Sequence, residues 1–322
     1  MKDVWPSGAI EHRGPASASQ MHALVKRPLE LAISSRRVGR MTRHRVRGKR
    51  LILAYHGIIP DGEAPAGEPG LFVTQRDFAM QLDVLAAEAD VVALERIDEA
   101  DDGRPRVAIT IDDAYRGAVT VGMRELAARS LPATIFVAPA RLNNHVFWWD
   151  ALLYGSGRLN ERLRDHALHE LGGADERVRA WAARAGITAR DELPAYAQTA
   201  TPTELAAAVR FHGITLGSHT WSHPNLASLG IVEIATELRR SREWLRREFG
   251  EKAIDWLAYP YGLESVQARA AAAEASYAGA LCIGGGWHRA ADVSPFARPR
   301  FNMGAGLSVA GLRMRLQGAL LS

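Results

Sequence analysis

Cysteine is nearly absent from this chain of 322 residues, and the single Cys282 excludes an internal disulfide. No apolar run approaches the roughly 20 residues of a membrane-spanning helix, and the N-terminus lacks the apolar core of a secretory signal. These absences favour a cytoplasmic protein, with a misassigned start or a cleaved leader as the alternative explanation. Hydrophobic residues make up 47% of the chain, which is enough for one large core.

Positive charge is concentrated in the first fifty residues, and we interpret residues 1–49 as a basic arm. From Lys26 to Arg50 there are ten Lys or Arg residues and a single acid. Residues 28–35 have the pattern of a short helix with Pro28 in its first turn. Such an arm either makes a peripheral contact at the inner membrane face or is a solvated tail, and its short apolar face favours the tail. No nucleic-acid-binding module is recognisable, so no nucleic-acid partner is expected.

An acidic pair follows an apolar run. Asp112 and Asp113 close the stretch Val107-Ala108-Ile109, which has the length and composition of a buried strand. Adjacent side chains leaving a strand point to opposite sides, so one carboxylate is able to bind a metal while the other accepts a proton. The alternative is that the pair caps a helix starting near Gly117.

Two histidines follow another strand-like run. His219 and His223 have a four-residue spacing that lets both imidazoles reach one ion if the segment makes a helical turn. The metalloprotease motif His-Glu-x-x-His is excluded, since Thr220 occupies the Glu position and Pro224 does not fit inside a continuing helix. Two imidazoles and one carboxylate leave an open position for water, which is typical of a catalytic zinc.

A third strand-like run ends in Tyr259-Pro260-Tyr261-Gly262. Its Pro and Gly predict a turn whose backbone N–H groups face a ligand. As an isolated string it is equally consistent with an ordinary surface turn. Its position as the third strand-to-loop junction with such residues favours a functional role.

In this order and spacing the three segments resemble the first three motifs of the polysaccharide deacetylases with the NodB homology domain, carbohydrate esterase family 4. The resemblance also includes Ile52-Leu53-Ala54-Tyr55-His56-Gly57 and Leu131-Pro132-Ala133-Thr134-Ile135-Phe136-Val137. It extends from about Arg50 to Met303.

The resemblance implies a role for each motif residue. Asp113, His219 and His223 would hold a divalent metal, usually zinc. Asp112 would be the general base that takes a proton from the attacking water. The backbone N–H of Tyr261 would help to stabilise the oxyanion, and the products would be acetate and a sugar amine.

Two departures from the family pattern concern the base and its surroundings. Ala114 stands where the family usually has Gly. Ala258 stands where the family commonly has an Arg that orients the base. Arg298 or Arg300, from another strand, is the candidate replacement, and we expect both to contact the substrate site.

The third departure concerns the general acid, because the family's last motif has no counterpart after residue 281. His288 and His56 are the candidates for protonating the leaving amine. For each of them, a partly buried or solvated histidine without a catalytic role is the alternative interpretation.

Strand-like and helical patterns alternate through the chain, which predicts parallel strands with right-handed crossovers. We predict one α/β domain over residues 50–322. Its fold is expected to be a distorted (β/α)7-type barrel with a helix-rich insertion; periodicity alone also allows an open doubly wound sheet, and the choice of the barrel depends on the resemblance. The predicted strands are 51–55, 107–111, 134–138, 214–218, 255–259 and 279–283.

Residues 143–210 form the predicted insertion, and we expect it to shape a substrate cleft. Trp148 and Trp149 are candidates for stacking on sugar rings, together with Tyr259 and Pro260 as further substrate contacts. The alternative for the two tryptophans is that they anchor the insertion to the barrel.

Three functions are consistent with these motifs. The preferred one is a metal-dependent hydrolase that removes N-acetyl groups from an N-acetylhexosamine-containing glycan, either exopolysaccharide or lipid-linked. The second is an amidohydrolase of the same fold acting on a non-carbohydrate amide. The third is a catalytically inactive glycan-binding protein, which Ala258 and the missing acid motif favour and the intact Asp112 disfavours.

Overall fold

Seven parallel strands close into a barrel in the computed structural model, which describes residues 43–99, 104–153, 158–190 and 192–319. The ten strands in chain order are β1 Arg50–Tyr55, β2 Gly57–Ile59, β3 Phe72–Thr74, β4 Asp90–Val91, β5 Arg106–Ile111, β6 Ala133–Val137, β7 Ile214–Ser218, β8 Ala253–Ala258, β9 Gly279–Ile283 and β10 Arg298–Asn302. The barrel consists of β1 and β5 to β10, which follow one another in chain order around the ring. The ring closes where β1 pairs in parallel with β5 on one side and with β10 on the other.

Helices surround this barrel. The α-helices are α1 Gln75–Glu88, α2 Met123–Ala128, α3 Trp148–Ala151, α4 Glu161–His169, α5 Asp175–Arg184, α6 Pro202–Ala208, α7 Ile231–Phe249, α8 Val266–Glu274 and α9 Val309–Leu316. A π-helical turn, Ala118–Gly122, leads into α2. Short 3₁₀ turns occur at Arg43–Arg45, Leu94–Arg96, Pro139–Arg141, Ala195–Ala197, Leu226–Ser228, Gly250–Lys252, Pro260–Gly262 and Ala290–Asp292. The predicted (β/α)7-type barrel is confirmed.

The side chains of the barrel strands point alternately into the barrel and toward the helices, which gives two separate hydrophobic cores. Successive side chains of a strand point to opposite faces, so neighbouring residues of one strand enter different clusters. The barrel interior is filled by one set, which includes Ile52, Ala108, Phe136, Trp256 and Leu281. The layer between barrel and helices receives the other set, which includes Leu51, Leu53, Val107, Ile109 and Ile135.

The strand β10 was absent from the six predicted strands. Its sequence, Arg298-Pro299-Arg300-Phe301-Asn302, contains two arginines and a proline, which lacks the N–H that a strand ladder uses. In a barrel whose interior is polar at this point, the two arginines point inward instead of apolar residues. Hydrophobic periodicity therefore gave no signal for the strand that completes the ring.

Residues 138–213 connect β6 to β7 and contain the helices α3 to α6, whereas the insertion bounds of 143–210 remain a prediction. The insertion has its own aromatic core around Phe147, Trp148 and Trp149. The arm boundary at residue 49 remains a prediction, and the predicted helix 28–35 lies outside the described residues. Within the described part of the chain, no helix combines the length and apolar character needed to cross a membrane.

Candidate active site

Three turns meet at the carboxyl end of the barrel. One follows β5 at Asp112 and Asp113, one follows β7 at residues 219–223, and one follows β8 at Tyr261. Non-glycine residues with positive φ are concentrated here: of nine in the described chain, five are Asp113, Ala114, Thr220, His223 and Tyr261. This backbone region costs L-residues about 1–2 kcal/mol each, so surrounding contacts must hold the turns.

Asp113, His219 and His223 direct one ligand atom each toward a common point. Asp113 Oδ1 lies 3.1 Å from His223 Nε2 and 3.5 Å from His219 Nε2, and the two Nε2 atoms are 3.1 Å apart. Three ligands at about 2.0–2.1 Å from a tetrahedral zinc ion lie about 3.3 Å from one another. All three side chains are buried, and Asp113 Oδ1 has no hydrogen-bond partner among the described residues. The predicted ligand set therefore fits a divalent ion.

The surroundings of both histidines favour the neutral imidazole, which is the form that binds a metal. The ring of His219 is oriented by a hydrogen bond of 2.7 Å between Nδ1 and the carbonyl oxygen of Ala258, which leaves the Nε2 lone pair for the metal. Burial lowers the pKa of His219. Burial, with a contribution from Arg141, lowers the pKa of His223 to about 3. Burial raises the pKa of the Asp113 carboxyl.

Asp112 is held by Arg300 at the base of the pocket. Arg300 donates from Nη1 to Asp112 Oδ1 and from Nη2 to Oδ2, each at 2.7 Å, and Nη1 also reaches Thr110 Oγ1 at 3.0 Å. Burial opposes ionisation of Asp112, but the positive charge of Arg300 outweighs it, and His219 adds to the effect. The pKa of Asp112 lies well below its usual range. Arg300 thus occupies the orienting role left open by Ala258.

The prediction that Arg298 contacts the substrate site is wrong, because its side chain does not reach the pocket. It lies at the start of β10 and forms an ion pair with Asp98, with nitrogen–oxygen distances of 2.5 and 2.8 Å. The strand runs from the floor of the barrel toward the metal ligands, so Arg298 lies at the floor and Arg300, two positions later, lies at the site.

The two acid candidates lie at opposite ends of the barrel. His56 follows β1 and lines the pocket, with its Nε2 3.9 Å from Asp112 Oδ2. His288 pairs through its backbone with Arg50, the first residue of β1, and so lies at the floor. The prediction of a catalytic role for His288 is wrong, because the barrel interior separates it from the metal ligands.

Tyr259 and Pro260 do not line the pocket, so the prediction that they contact the substrate is also wrong. The hydroxyl of Tyr259 donates to the carbonyl oxygen of Phe296 at 2.9 Å, and its ring packs in the helix layer outside the barrel. Ala258, the preceding residue, points inward, and alternation sends Tyr259 outward.

Tyr261 connects the third turn to the insertion. Its hydroxyl donates to the carbonyl oxygen of Gly173 at 2.7 Å and accepts from Trp148 Nε1 at 3.0 Å. Gly173 has φ +60°, and a Cβ there would lie 2.5 Å from the Tyr261 ring. The insertion therefore fixes the residue whose backbone N–H is the candidate oxyanion donor.

Trp148 and Trp149 line the pocket but are only 1% and 6% exposed. Trp149 stacks on Phe147 at 4.3 Å between ring centroids and donates from Nε1 to the hydroxyl of Tyr115 at 3.0 Å. Little ring surface remains for a sugar to cover. The geometry favours the alternative interpretation, in which both anchor the insertion.

Several pocket residues were not predicted from the sequence. The loop between β2 and β3 contributes Glu68, whose Oε2 accepts the N–H of Leu159 at 3.1 Å and so joins this loop to the insertion. No motif marks these positions. The other pocket residues without a sequence signal include Leu71, Arg164, Leu168, Ile283 and Asn302.

Comparison with solved structures shows the same fold. Streptococcus pyogenes deacetylase PplD in complex with acetate has a TM-score of 0.59 at 18% identity, with 84% of this chain and 99% of that chain covered. The putative polysaccharide deacetylase BA0330 from Bacillus anthracis has a TM-score of 0.59 at 15% identity, covering 84% and 69%. IcaB from Ammonifex degensii has a TM-score of 0.58 at 16% identity, covering 84% and 97%.

No curated protein sequence matches the chain. The sequence profile of the polysaccharide deacetylases matches residues 99–280, which is more than half of the chain and includes all three motifs. The predicted enzyme class, a hydrolase that deacetylates polysaccharides, is confirmed with this match. The chain belongs to the polysaccharide deacetylase family.

Proposed function

We propose that this protein is a metal-dependent hydrolase that removes N-acetyl groups from N-acetylhexosamine residues of a glycan. The observation that carries the proposal is the pairing of the ligand set Asp113, His219 and His223 with an ionised Asp112 in one pocket. The family match supports the deacetylation, and the ligand geometry supports the divalent metal, with zinc as the preferred ion.

When bound by the three ligands, a divalent ion would activate water and polarise the amide carbonyl. Asp112 accepts the proton of the attacking water, and its low pKa keeps it ionised for that purpose. The backbone N–H of Tyr261 donates to the carbonyl oxygen as negative charge develops on it. The rigid turn around Tyr261, with φ +61°, presents that N–H without reorganisation.

His56 is placed to protonate the leaving amine nitrogen. It is the candidate acid on the same side of the barrel as Asp112, and 12% of its side chain is exposed at the pocket. Burial lowers the pKa of His56, while the nearby Asp112 partly restores the protonated form. Proton donation by such a group contributes about 10²–10⁴ in rate.

The contacts of Arg300 weaken the case for an inactive glycan-binding protein. Ala258 was one of the two arguments for that interpretation, together with the missing acid motif, and Arg300 supplies a guanidinium from another strand. A protein that only binds glycans has no use for a buried carboxylate held ionised beside a metal site.

The test measures acetate released from N-acetylglucosamine oligomers by the full chain, before and after chelation and with zinc restored. A cyclic amide serves as the non-carbohydrate substrate. We expect zinc-dependent acetate release, with Asp112→Asn losing at least about 10²-fold in rate while still binding zinc. Asp113→Asn should lose zinc.

Release that survives chelation, or full activity of Asp112→Asn, would contradict the proposed mechanism. Hydrolysis of the cyclic amide alone would identify the second function considered from the sequence. Binding of zinc and oligomer without any acetate release would identify the third.

A further inference from the structure

The turn between the two histidine ligands is held from outside the barrel by one carboxylate. Glu237 of α7 accepts on Oε2 the backbone N–H groups of Trp221 at 2.9 Å and Ser222 at 2.7 Å. Its Oε1 accepts the hydroxyl of Ser222 at 2.7 Å. Three donors of two adjacent residues thus converge on a single side chain.

The opposite side of the same turn is held by the segment after β6. The N–H of Ala140 donates to the carbonyl oxygen of Trp221 at 2.9 Å. Arg141 donates from Nε to the carbonyl oxygen of Ser222, also at 2.9 Å. The N–H and C=O groups of Trp221 and Ser222, two of the three residues between the ligands, are therefore fixed by partners outside the turn.

This fixation matters because the turn has an unfavourable backbone. Thr220 and His223 have φ values of +64° and +62°, a region that L-residues avoid. That conformation places His219 Nε2 and His223 Nε2 3.1 Å apart on one side of the turn. Without an external acceptor, the N–H groups of Trp221 and Ser222 would favour a relaxed turn in which the two imidazoles no longer converge.

We infer that Glu237 is a positioning residue for the metal site, which acts by holding the histidine turn in its strained conformation. It touches neither ligand, and it lies on a helix that none of the sequence motifs includes. The inference rests on the proposed metal site but is independent of which acetylated substrate is hydrolysed.

The experiment compares Glu237→Ala, Glu237→Gln and the control Glu243→Ala, a change at an exposed glutamate of the same helix. Zinc affinity is measured by competition with a chromogenic chelator, and the metal environment by the absorption spectrum of the Co²⁺-loaded protein. Thermal unfolding of the metal-free proteins reports stability separately.

We expect Glu237→Ala to bind zinc about 10- to 100-fold more weakly and to change the Co²⁺ spectrum. Glu237→Gln should lie between Ala and the unmodified protein. Its amide oxygen is able to accept both N–H groups and its NH₂ to donate to Ser222, but the charge that strengthens these bonds is lost. Glu243→Ala should bind zinc as the unmodified protein does.

Unchanged zinc affinity in Glu237→Ala, even with lower thermal stability, would reduce Glu237 to a structural residue and overturn the inference. If Glu237→Ala does not fold, Glu237→Gln and Ser222→Ala decide, and unchanged affinity in both has the same meaning. Failure of the unmodified protein to bind zinc would overturn the proposed function as well, so the two failures are distinguishable.

Discussion

Arg300 reaches across the barrel interior to form a two-point ion pair with Asp112, with both nitrogen–oxygen distances at 2.7 Å and both side chains buried. The two residues belong to β10 and β5, which are separated in the ring by β1. Planar two-point contact fixes the direction of the carboxylate as well as its charge. The proposed catalytic base, Asp112, is therefore oriented by a strand that carries none of the three motifs.

Replacing Arg300 by Gln should lower kcat by about 10²-fold or more and shift the acid limb of the pH–rate profile upward. Asp112 must be ionised to accept a proton, and its pKa rises when Arg300 is removed, so activity is lost at a higher pH than before. The measurement is kcat against pH for acetate release. Arg298→Gln, two residues earlier on the same strand, is the matched control. It breaks the floor ion pair with Asp98 and should leave the acid limb unchanged.

His56→Gln should slow amide hydrolysis by about 10²–10⁴-fold while largely preserving hydrolysis of an activated aryl acetate, whose leaving group needs no proton. The ratio of the two rates is the measurement. His288→Gln, at the barrel floor, should leave that ratio unchanged. An equal loss on both substrates in His56→Gln would exclude it as the acid.

Tyr261→Phe should lower kcat with little change in zinc affinity, since it removes the hydroxyl that fixes the third turn but none of the metal ligands. It leaves a buried carbonyl and an indole N–H unpaired, at about 1–3 kcal/mol each. Tyr277→Phe is the control for stability: its hydroxyl donates to the carbonyl of Leu238 at 2.9 Å, and its side chain does not line the pocket. Urea unfolding should show losses in both variants, whereas kcat should fall only in Tyr261→Phe.

Asp150→Asn tests a buried carboxyl beneath the pocket wall. Asp150 accepts the hydroxyl of Tyr115 at 2.5 Å and the N–H of Glu68 at 2.7 Å, and burial raises its pKa from 3.8 to about 7. Between these values the folded state binds more protons than the unfolded state, so the free energy of unfolding falls as pH rises toward 7.

Asn does not titrate. The free energy of unfolding of the variant, relative to that of the unmodified protein, should therefore rise by up to about 1.4 kcal/mol per pH unit from pH 4 to 7 and should not rise further above pH 7. Urea unfolding at several pH values measures this difference. The same change at the exposed Asp292 is the control and should give a flat difference. A flat difference for Asp150→Asn would contradict the buried, proton-binding carboxyl.

The acidic and histidine residues of the site could be predicted from the sequence because they lie in short contiguous segments. The spacing of Asp112, Asp113, His219 and His223 already predicts one convergent site at strand ends, and the structure brings these side chains together. Residue type and chain order were sufficient, since each segment directly follows a strand of the same parallel sheet.

The sequence did not show which of two similar residues lies at the active site. Arg298 and Arg300, or His56 and His288, differ in which end of the barrel they occupy, and that depends on the register of β10 and on the path of the chain after β9. A strand with two arginines and a proline gives no periodic signal from which to derive that register. Glu237 is a further case, because a single glutamate on an amphipathic helix looks like any other polar residue until the helix is docked against β7.

Arg50, at the floor, and the pocket lie at opposite ends of β1. From Arg50 the strand β1 leads to His56 at the pocket, about 20 Å away at roughly 3.3 Å per residue. A membrane held close to Arg50 would therefore lie behind the barrel, with the pocket opening away from it. In that orientation the enzyme would deacetylate glycans projecting well beyond the lipid headgroups rather than sugars attached directly to them.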